Sequence, residues 1–210
     1  MANPAEATPD YIEHIFENVT DYSQLDPMIV QGILRCVSGS GMDTTAEDTL
    51  HHIQGDVVTV NIDRESGEVF AFSSTVFGSP NEIFQSSEFS DVQGCYLAGA
   101  TIDKERQGTG FYKKMNEGRV GIALDRKLPL IFTRTQNPRV QAGIQAVLES
   151  YKERGLIADY KLDRILIPGC YGHMLTKERP FCDGVSFDEL DYDKGDAYVL
   201  LFSLQYALEE

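Results

Sequence analysis

The run from Glu105 to Gly110 reads Glu-Arg-Gln-Gly-Thr-Gly and stands between an apolar stretch and a helix-like stretch. The first N–H groups of a helix lack internal partners, and the helix dipole adds partial positive charge there. Gly108 and Gly110 let the backbone adopt positive φ and approach an anion closely. Arg106 adds a full positive charge and a forked set of donors. The run therefore predicts a phosphate-binding turn.

Two common nucleotide-binding patterns do not fit this turn. The P-loop pattern GxxxxGK[ST] needs a lysine after its last glycine, and neither Gly108 nor Gly110 is followed by one. The dinucleotide pattern GxGxxG needs a third glycine where Lys113 stands. Thr109 can cap the helix or donate its hydroxyl to a phosphate, and these roles are compatible. The ligand of the turn is therefore left open by the motif itself.

The surrounding elements must place this turn at the end of a strand. Apolar periodicity predicts two N-terminal helices, a short helix, a hairpin, a loop, a central strand, a helix, a buried strand, a helix and closing strands. The two N-terminal helices rest on Ile12, Ile15, Phe16 and Val19, and on Val30, Ile33, Leu34 and Val37 after Asp26-Pro27; the short helix is 44–54, and the hairpin rests on Val58, Val60 and Ile62 with Phe70, Phe72, Ser74 and Val76. The loop is 78–94, the central strand 95–102, and the next helix rests on Phe111, Met115, Gly118 and Ile122. The buried strand is 128–134, the last helix rests on Val140, Ile144, Val147 and Tyr151, and the closing strands are 156–167 and 198–204. The predicted fold is a mixed α/β (α+β) sheet with helices on both faces. We expect one domain over residues 1–210, with a helical segment 10–40 and an irregular acidic insertion at about 169–196.

Composition narrows the classes of partner. The formal net charge is -15, whereas a nucleic-acid surface needs clustered Lys and Arg, so no nucleic-acid partner is expected. The acidity either attracts a cationic substrate or only keeps the protein soluble. No apolar run approaches the roughly 20 residues of a membrane span, and the N-terminus lacks the features of a secretory signal. We therefore expect a cytoplasmic protein without a membrane partner.

The four cysteines are far apart and form no CxxC pair. Buried free thiols in a reducing compartment are the expected state. Cys170, His173 and Cys182 could contribute to a metal site, but a fourth ligand at a usual spacing is missing. No metal is therefore expected.

The turn and its context resemble the GNAT superfamily, the acyl-CoA-dependent N-acyltransferases. Their pyrophosphate loop reads (Arg/Gln)-x-x-Gly-x-(Gly/Ala) after a central strand; here the glycines match, but Glu105 holds the leading position. The family's order of elements matches from about Thr44 to Leu204. It also shows an Asn after the splayed strand and Tyr-x-x-x-Gly-(Phe/Leu) after the next helix, here Asn137 and Tyr151–Leu156. The resemblance implies a mostly antiparallel sheet with one splayed pair of strands.

The resemblance also implies a function, the transfer of an acetyl or short acyl group from acetyl-CoA to an amine by direct attack. Tyr151 would protonate the departing thiolate, since a phenol with a pKa near 10 is well matched to a thiol. The small side chains from Leu97 to Ala100 would leave room for the coenzyme, although close helix packing explains them equally well. The implied coenzyme-binding residues are Ile102, Arg106, Gln107, Gly108, Thr109, Gly110 and Asn137.

Simpler structural roles are open for two of these residues. Asn137 precedes Pro138 and is fully explained as a helix N-cap. Tyr151 shares a helical face with Ile144 and Val147, so a core tyrosine is the rival interpretation. The burial and the hydrogen-bond partners of Asn137 and Tyr151 distinguish these structural roles from the functional ones.

The general base and the acceptor are left open. The central strand "CYLAGATI" has no carboxylate or histidine, so the candidates are Glu88, Asp91, His173 and the acids of 183–196. If those acids border the acceptor, a cationic amine is favoured, such as a polyamine, an amino acid or a lysine side chain. The alternative function is a non-catalytic acyl-CoA-binding sensor or interaction module of the same fold. A homodimer is one possible assembly.

Overall fold

The strands form one seven-stranded sheet in the order β1-β2-β3-β4-β5-β7-β6. The computed structural model describes residues 9–41, 44–171 and 185–207. Every neighbouring pair is antiparallel except β4 and β5, which are parallel. The elements are β1 Tyr11–Val19, α1 Pro27–Gly39, α2 Ala46–His52, β2 Gly55–Asp63, β3 Val69–Gly78, α3 Pro80–Phe84, β4 Gly94–Ile102, α4 Phe111–Asp125, β5 Leu130–Thr135, α5 Pro138–Glu153, β6 Asp159–Ile167 and β7 Ala197–Gln205. The predicted hairpin, central strand and mixed sheet are confirmed.

Helix α1 begins where the sequence predicts. Asp26 accepts a hydrogen bond from the Met28 N–H (2.7 Å), and Pro27 occupies the first turn, where its missing N–H costs nothing. The buried side chains of α1 include Ile33 and Val37, which belong to a core cluster with β2 and β3. This cluster fixes α1 on the sheet.

The first predicted helix is wrong, because residues 11–19 form the edge strand β1. This strand pairs antiparallel with β2, from Tyr11 opposite Asp63 to Val19 opposite Gly55. Ile12 and Ile15 are 40% and 59% exposed, so their spacing imitates a helical face without marking a buried one. Cross-strand pairing overrides the local pattern here. The segment 10–40 therefore contains a strand followed by a helix.

Helices cover both faces of the sheet around β5. Ile131 packs in the cluster of α4 and α5, whereas Leu130 and Phe132 face the opposite side. There, Phe84 of α3 contacts the rings of Tyr96 and Phe132, with centroid distances of 5.3 and 5.9 Å. The predicted 78–94 loop thus contains a short helix that covers the second face.

The buried face of α4 differs from the predicted one. Of the predicted face, Met115 is buried, whereas Gly118 is exposed. The buried residues of α4 are Met115, Asn116, Arg119, Val120 and Ala123. Two polar side chains, one of them charged, thus lie beneath this helix.

The insertion before β7 is described only in part. Residues 185–196 contain a single 3-10 turn, Tyr192–Lys194, and are otherwise irregular. His173 and Cys182, which were considered for metal binding, lie outside the described residues. Over the ranges that are described, no helix is long and apolar enough to cross a membrane.

Helices α4 and α5 approach closely at Gly143, and this contact can be tested. A Cβ at residue 143 would lie 2.8 Å from the Tyr112 ring, whereas one at Gly118 would meet nothing within 4 Å. We expect Gly143→Ala to lower the free energy of unfolding by about 1–3 kcal/mol through overpacking. We expect Gly118→Ala to raise it by about 0.5–1 kcal/mol, because alanine favours helix. Urea unfolding of both variants measures this, and equal effects would contradict the packing.

Candidate functional site

Strands β4 and β5 separate soon after they meet. They pair only at Cys95 with Ile131 and at Tyr96 with Phe132, although β4 continues to Ile102. The Thr133 hydroxyl donates to the Leu97 carbonyl at 2.9 Å, where the two strands begin to separate. A gap therefore opens between the carboxyl ends of two parallel strands, which is the splayed pair predicted from the resemblance.

A β-bulge in β4 lies beside this gap. On β3, Ser73 pairs with Ala100 and Thr75 pairs with Leu97, so two residues of β4 oppose Ser74 alone. One of them, Gly99, donates its N–H to the Ser74 hydroxyl at 2.9 Å. This N–H is therefore engaged within the protein.

Arg119 of α4 reaches the same bulge. Its Nη2 donates to the Ser74 carbonyl at 3.1 Å, and its Nη1 lies 3.4 Å from the Asn116 Oδ1. Arg119 is only 4% exposed, and burial lowers its pKa from the usual value, although an arginine stays charged in proteins. The Arg119 Nε has no hydrogen-bond partner among the residues that the structure describes. No described carboxylate forms an ion pair with this guanidinium, so a buried positive charge lies at the bulge.

The predicted turn forms the start of α4. Gly108 and Gly110 have φ of +75° and +86°, and Gly110 is the N-cap of α4 with no side-chain cap. The main-chain N–H groups of residues 108–112 donate to no described residue. A Cβ added at either glycine would meet nothing within 4 Å. The turn thus presents consecutive unpaired amides to open space, as an anion site requires.

Arg106 does not point toward these amides. Its Nη1 forms an ion pair with Asp10 (2.7 Å) and its Nη2 with Asp63, and its Cζ lies 4.7 Å from the centroid of the Phe70 ring. Hydrogen bonds from Ser66, with a smaller effect of Arg106, lower the pKa of Asp63. The Arg106 side chain therefore anchors the turn to the residue before β1 and to the end of β2, in place of the predicted contact with an anion.

The other polar side chains of the turn are also engaged. Gln107 Nε2 donates to the carbonyls of Ile102 (3.0 Å) and Ser40 (3.2 Å), which ties the turn to β4 and α1. The Thr109 hydroxyl donates to the Arg106 carbonyl at 2.7 Å, so it does not cap α4. These side chains shape the turn and leave its amides as the unpaired donors.

Asn137 and Tyr151 occupy the structural positions that the sequence allowed. Asn137 Oδ1 accepts from the Arg139 N–H at 2.9 Å, which confirms the N-cap of α5. Tyr151 is 8% exposed, and its hydroxyl donates to the Glu117 carbonyl at 2.7 Å. Burial, followed by the charge of Glu117, raises the pKa of Tyr151, so the phenol keeps its proton. At 1.5 Å per residue, Glu117 lies about 10 Å along α4 from Gly110.

The cysteine nearest the gap is unsuited to nucleophilic attack. Burial raises the pKa of Cys95 to about 12, and Arg119 and Arg126 offset only part of that effect. A thiol with such a pKa supplies almost no thiolate near neutral pH. Covalent transfer through Cys95 is therefore unfavourable.

Most of the candidate bases in the described residues have structural roles. Asp91 accepts from the Asn81 side chain at 2.5 Å. Asp196 accepts from the main chain of Gly169 and Asp191 (2.9 and 3.1 Å), and Asp191 forms an ion pair with Lys194. Glu88 forms no ion pair among the described residues and lines a cavity on the α3 face.

The hydrogen bond inside the bulge gives a stability test. Ser74→Ala removes the acceptor of the buried Gly99 N–H, so we expect the free energy of unfolding to fall by about 1–3 kcal/mol. Ser73→Ala is the matched control, because Ser73 is also buried but its hydroxyl has no hydrogen bond among the described residues. Chemical denaturation should show a clearly larger loss in the free energy of unfolding for Ser74→Ala than for Ser73→Ala. Equal losses would mean that the bond does not hold the bulge.

Comparison with solved structures identifies the fold. The ribosomal-protein-S18-alanine N-acetyltransferase of Escherichia coli aligns with a TM-score of 0.53 and 11% identity, covering 95% of this chain and 97% of that chain. The NatC complex bound to Gag peptide and CoA aligns with a TM-score of 0.52 and 11% identity, covering 94% of this chain and 100% of that chain. A GNAT-family protein of Desulfovibrio desulfuricans aligns with a TM-score of 0.51 and 13% identity, covering 92% of this chain and 99% of that chain. No protein-family sequence model and no curated protein sequence matches the chain. The chain has the fold of the GNAT N-acetyltransferases.

Proposed function

We propose that the protein is an N-acyltransferase that moves an acetyl or another short acyl group from acyl-CoA to an amine. The observation that carries this proposal is the row of unpaired amides at residues 108–112, at the start of the 15-residue helix α4. Such amides favour a diphosphate through hydrogen bonding and the helix dipole. Structural neighbours with this fold are acetyltransferases, and one of them was solved with CoA.

The gap between β4 and β5 suits the remainder of the coenzyme. It lies directly before the turn in the chain, and the strands that border it no longer bond each other beyond Tyr96 and Phe132. Main-chain groups left unpaired by such a separation can bond the amide groups of an extended ligand. Acyl-CoA supplies the activated thioester, and this chain supplies the gap and the amides of residues 108–112 that would bind it.

Transfer would proceed by direct attack of the amine. The neutral amine nitrogen forms a bond to the acyl carbon while the carbon–sulfur bond breaks; the nitrogen releases one proton to solvent, the sulfur gains one from Tyr151, and solvent reprotonates Tyr151. Tyr151 would supply the sulfur's proton from its hydroxyl, which burial keeps protonated. The high pKa of Cys95 supports a direct route over an acyl-cysteine route.

A non-catalytic acyl-CoA sensor is the second candidate. Two observations favour it: the Tyr151 hydroxyl is already bonded to the Glu117 carbonyl, and β4 carries no base. Release of free thiol in the presence of an amine separates the enzyme from the sensor. A protein that binds acetyl-CoA but releases no thiol with any amine would be the sensor.

The anion site can be tested with Gly108→Ala and a matched control. Gly67 lies in the β2–β3 turn with φ of +73°, and a Cβ there also meets nothing within 4 Å. Both variants should therefore lose about 1–3 kcal/mol of stability from backbone strain. We expect only Gly108→Ala to raise the Kd for acetyl-CoA, by about 10-fold or more, because its methyl group enters the space where the diphosphate would bind. Calorimetric titration measures this; an unchanged Kd for Gly108→Ala would count against the proposed site.

The role of Tyr151 can be tested by removing its hydroxyl. We expect Tyr151→Phe to lower kcat by about 100-fold while the Kd for acetyl-CoA is unchanged, because the sulfur loses its proton donor. Tyr160→Phe is the control, since the Tyr160 hydroxyl donates to the exposed Glu149 side chain at 2.9 Å and lies on another strand, β6. If Tyr151→Phe keeps full kcat and loses only stability, the hydroxyl is a packing group alone.

A further inference from the structure

A cavity of about 380 Å³ lies on the α3 side of the sheet, beside the gap between β4 and β5. Its position follows from Arg134, which lines it and stands two residues beyond Phe132, the last residue of β5 that pairs with β4. Its walls combine apolar and polar side chains. The lining residues that matter here are Phe84, Phe89, Arg134, Ile165, Ile167 and Glu88.

Arg134 carries a positive charge that nothing described here neutralises. It forms no ion pair with a described carboxylate, and its buried Nε has no hydrogen-bond partner among the described residues, although the guanidinium interacts with the Tyr171 side chain. Its neighbours are aromatic: the Cζ lies 4.7 Å from the centroid of the Tyr171 ring. The chain has 33 acidic and 18 basic residues, yet none of the described carboxylates forms an ion pair with Arg134. An arginine that lines a partly apolar cavity without a described carboxylate partner favours an anionic ligand.

We infer that this cavity binds the acceptor, and that the acceptor is a small amine that carries a carboxylate and an apolar side chain. The Arg134 guanidinium would hold the carboxylate through its forked donors. The rings of Phe84 and Phe89 and the side chains of Ile165 and Ile167 would surround the apolar part. An amino acid with an aromatic or aliphatic side chain has this chemistry.

The acidic insertion gives little support to a purely cationic acceptor. Among its described residues, the Asp191 and Asp196 carboxylates are used to fold the insertion, through Lys194, Gly169 and main-chain N–H groups. The charged residues that line the cavity are Arg134 and Glu88, one of each sign. An ammonium group beside Glu88 and a carboxylate on Arg134 match the two charges of an amino acid.

This inference rests on the proposed acyl transfer and names its acceptor class. The amine of the bound amino acid would attack the acyl carbon at the gap, forming an amide as the carbon–sulfur bond breaks. The ammonium loses two protons as the amide forms: one passes to Glu88 or to solvent, and the other replaces the proton that Tyr151 gives to the sulfur. Arg134 would bind the carboxylate and take no part in proton transfer.

The test compares L-phenylalanine with L-phenylalaninamide, phenethylamine and spermidine as acceptors. For the wild-type protein we expect kcat/KM for phenylalanine to exceed that for its amide by about 100-fold, because the site's buried charge loses its partner with the amide. Arg134→Gln should abolish this preference by raising KM for phenylalanine, with the Kd for acetyl-CoA unchanged. Arg134→Lys, which keeps the charge but loses the fork, should retain part of the preference. Arg164→Gln, on the exposed surface of β6, is the control and should behave as wild type.

Binding without the coenzyme separates this inference from the proposed function. Calorimetry or ligand-observed NMR should detect phenylalanine, bound more weakly by at least 10-fold in Arg134→Gln and not detected as the amide. If acetyl-CoA fails to bind while phenylalanine binds through Arg134, the acyltransferase proposal fails and the carboxylate site stands. Equal use or equal binding of phenylalanine and its amide, a preference for spermidine, or an Arg134→Gln variant that weakens every acceptor alike would overturn the carboxylate site.

Discussion

The early separation of β4 from β5 is the constraint on which the site depends. Two residue pairs hold these parallel strands together, and beyond them the main chain of β4 faces a gap. A parallel pair that stayed bonded along its length would leave no main-chain groups for a ligand and no opening between the two faces. The bulge at Ala98 and Gly99 turns one N–H of β4 back to Ser74, so the strand is distorted but satisfied at that point. The turn before α4 then supplies the donors that the bulge does not.

Two arginines without described carboxylate partners border this gap from opposite sides. Arg119 reaches the bulge from α4, and Arg134 lines the cavity beneath α3. Removing an ion from water costs several kcal/mol even after relaxation, so such charges persist where something compensates them. Carbonyl contacts and aromatic rings compensate in part, through the Ser74 carbonyl for Arg119 and Tyr171 for Arg134. In a protein of net charge -15, this arrangement concentrates positive potential where an anionic substrate would enter.

The sequence predicted the elements whose buried residues recur at a regular spacing, and it missed the elements whose buried residues do not. The hairpin, β4 and α5 follow the alternation or the helical spacing of their apolar residues, and the glycine turn follows from backbone freedom at Gly108 and Gly110. Strand β1 was predicted as a helix because an edge strand with exposed Ile12 and Ile15 need not alternate. Arg119 was missed because a charged residue on a helix is ordinarily solvated. Its spacing of four from buried Met115 was the available indication. Arg106 was predicted at the anion because the chain places it there, but only the fold brings Asp10 and Asp63 to it.

The most direct measurement is the ¹H–¹⁵N NMR spectrum of the protein during titration with acetyl-CoA. We expect the amides of residues 108–112 to shift most strongly, with their protons moving downfield as they donate to the diphosphate. Amides of β4 beyond Leu97 should follow at the same concentrations. An unchanged spectrum at millimolar acetyl-CoA, or shifts confined to other parts of the chain, would contradict it.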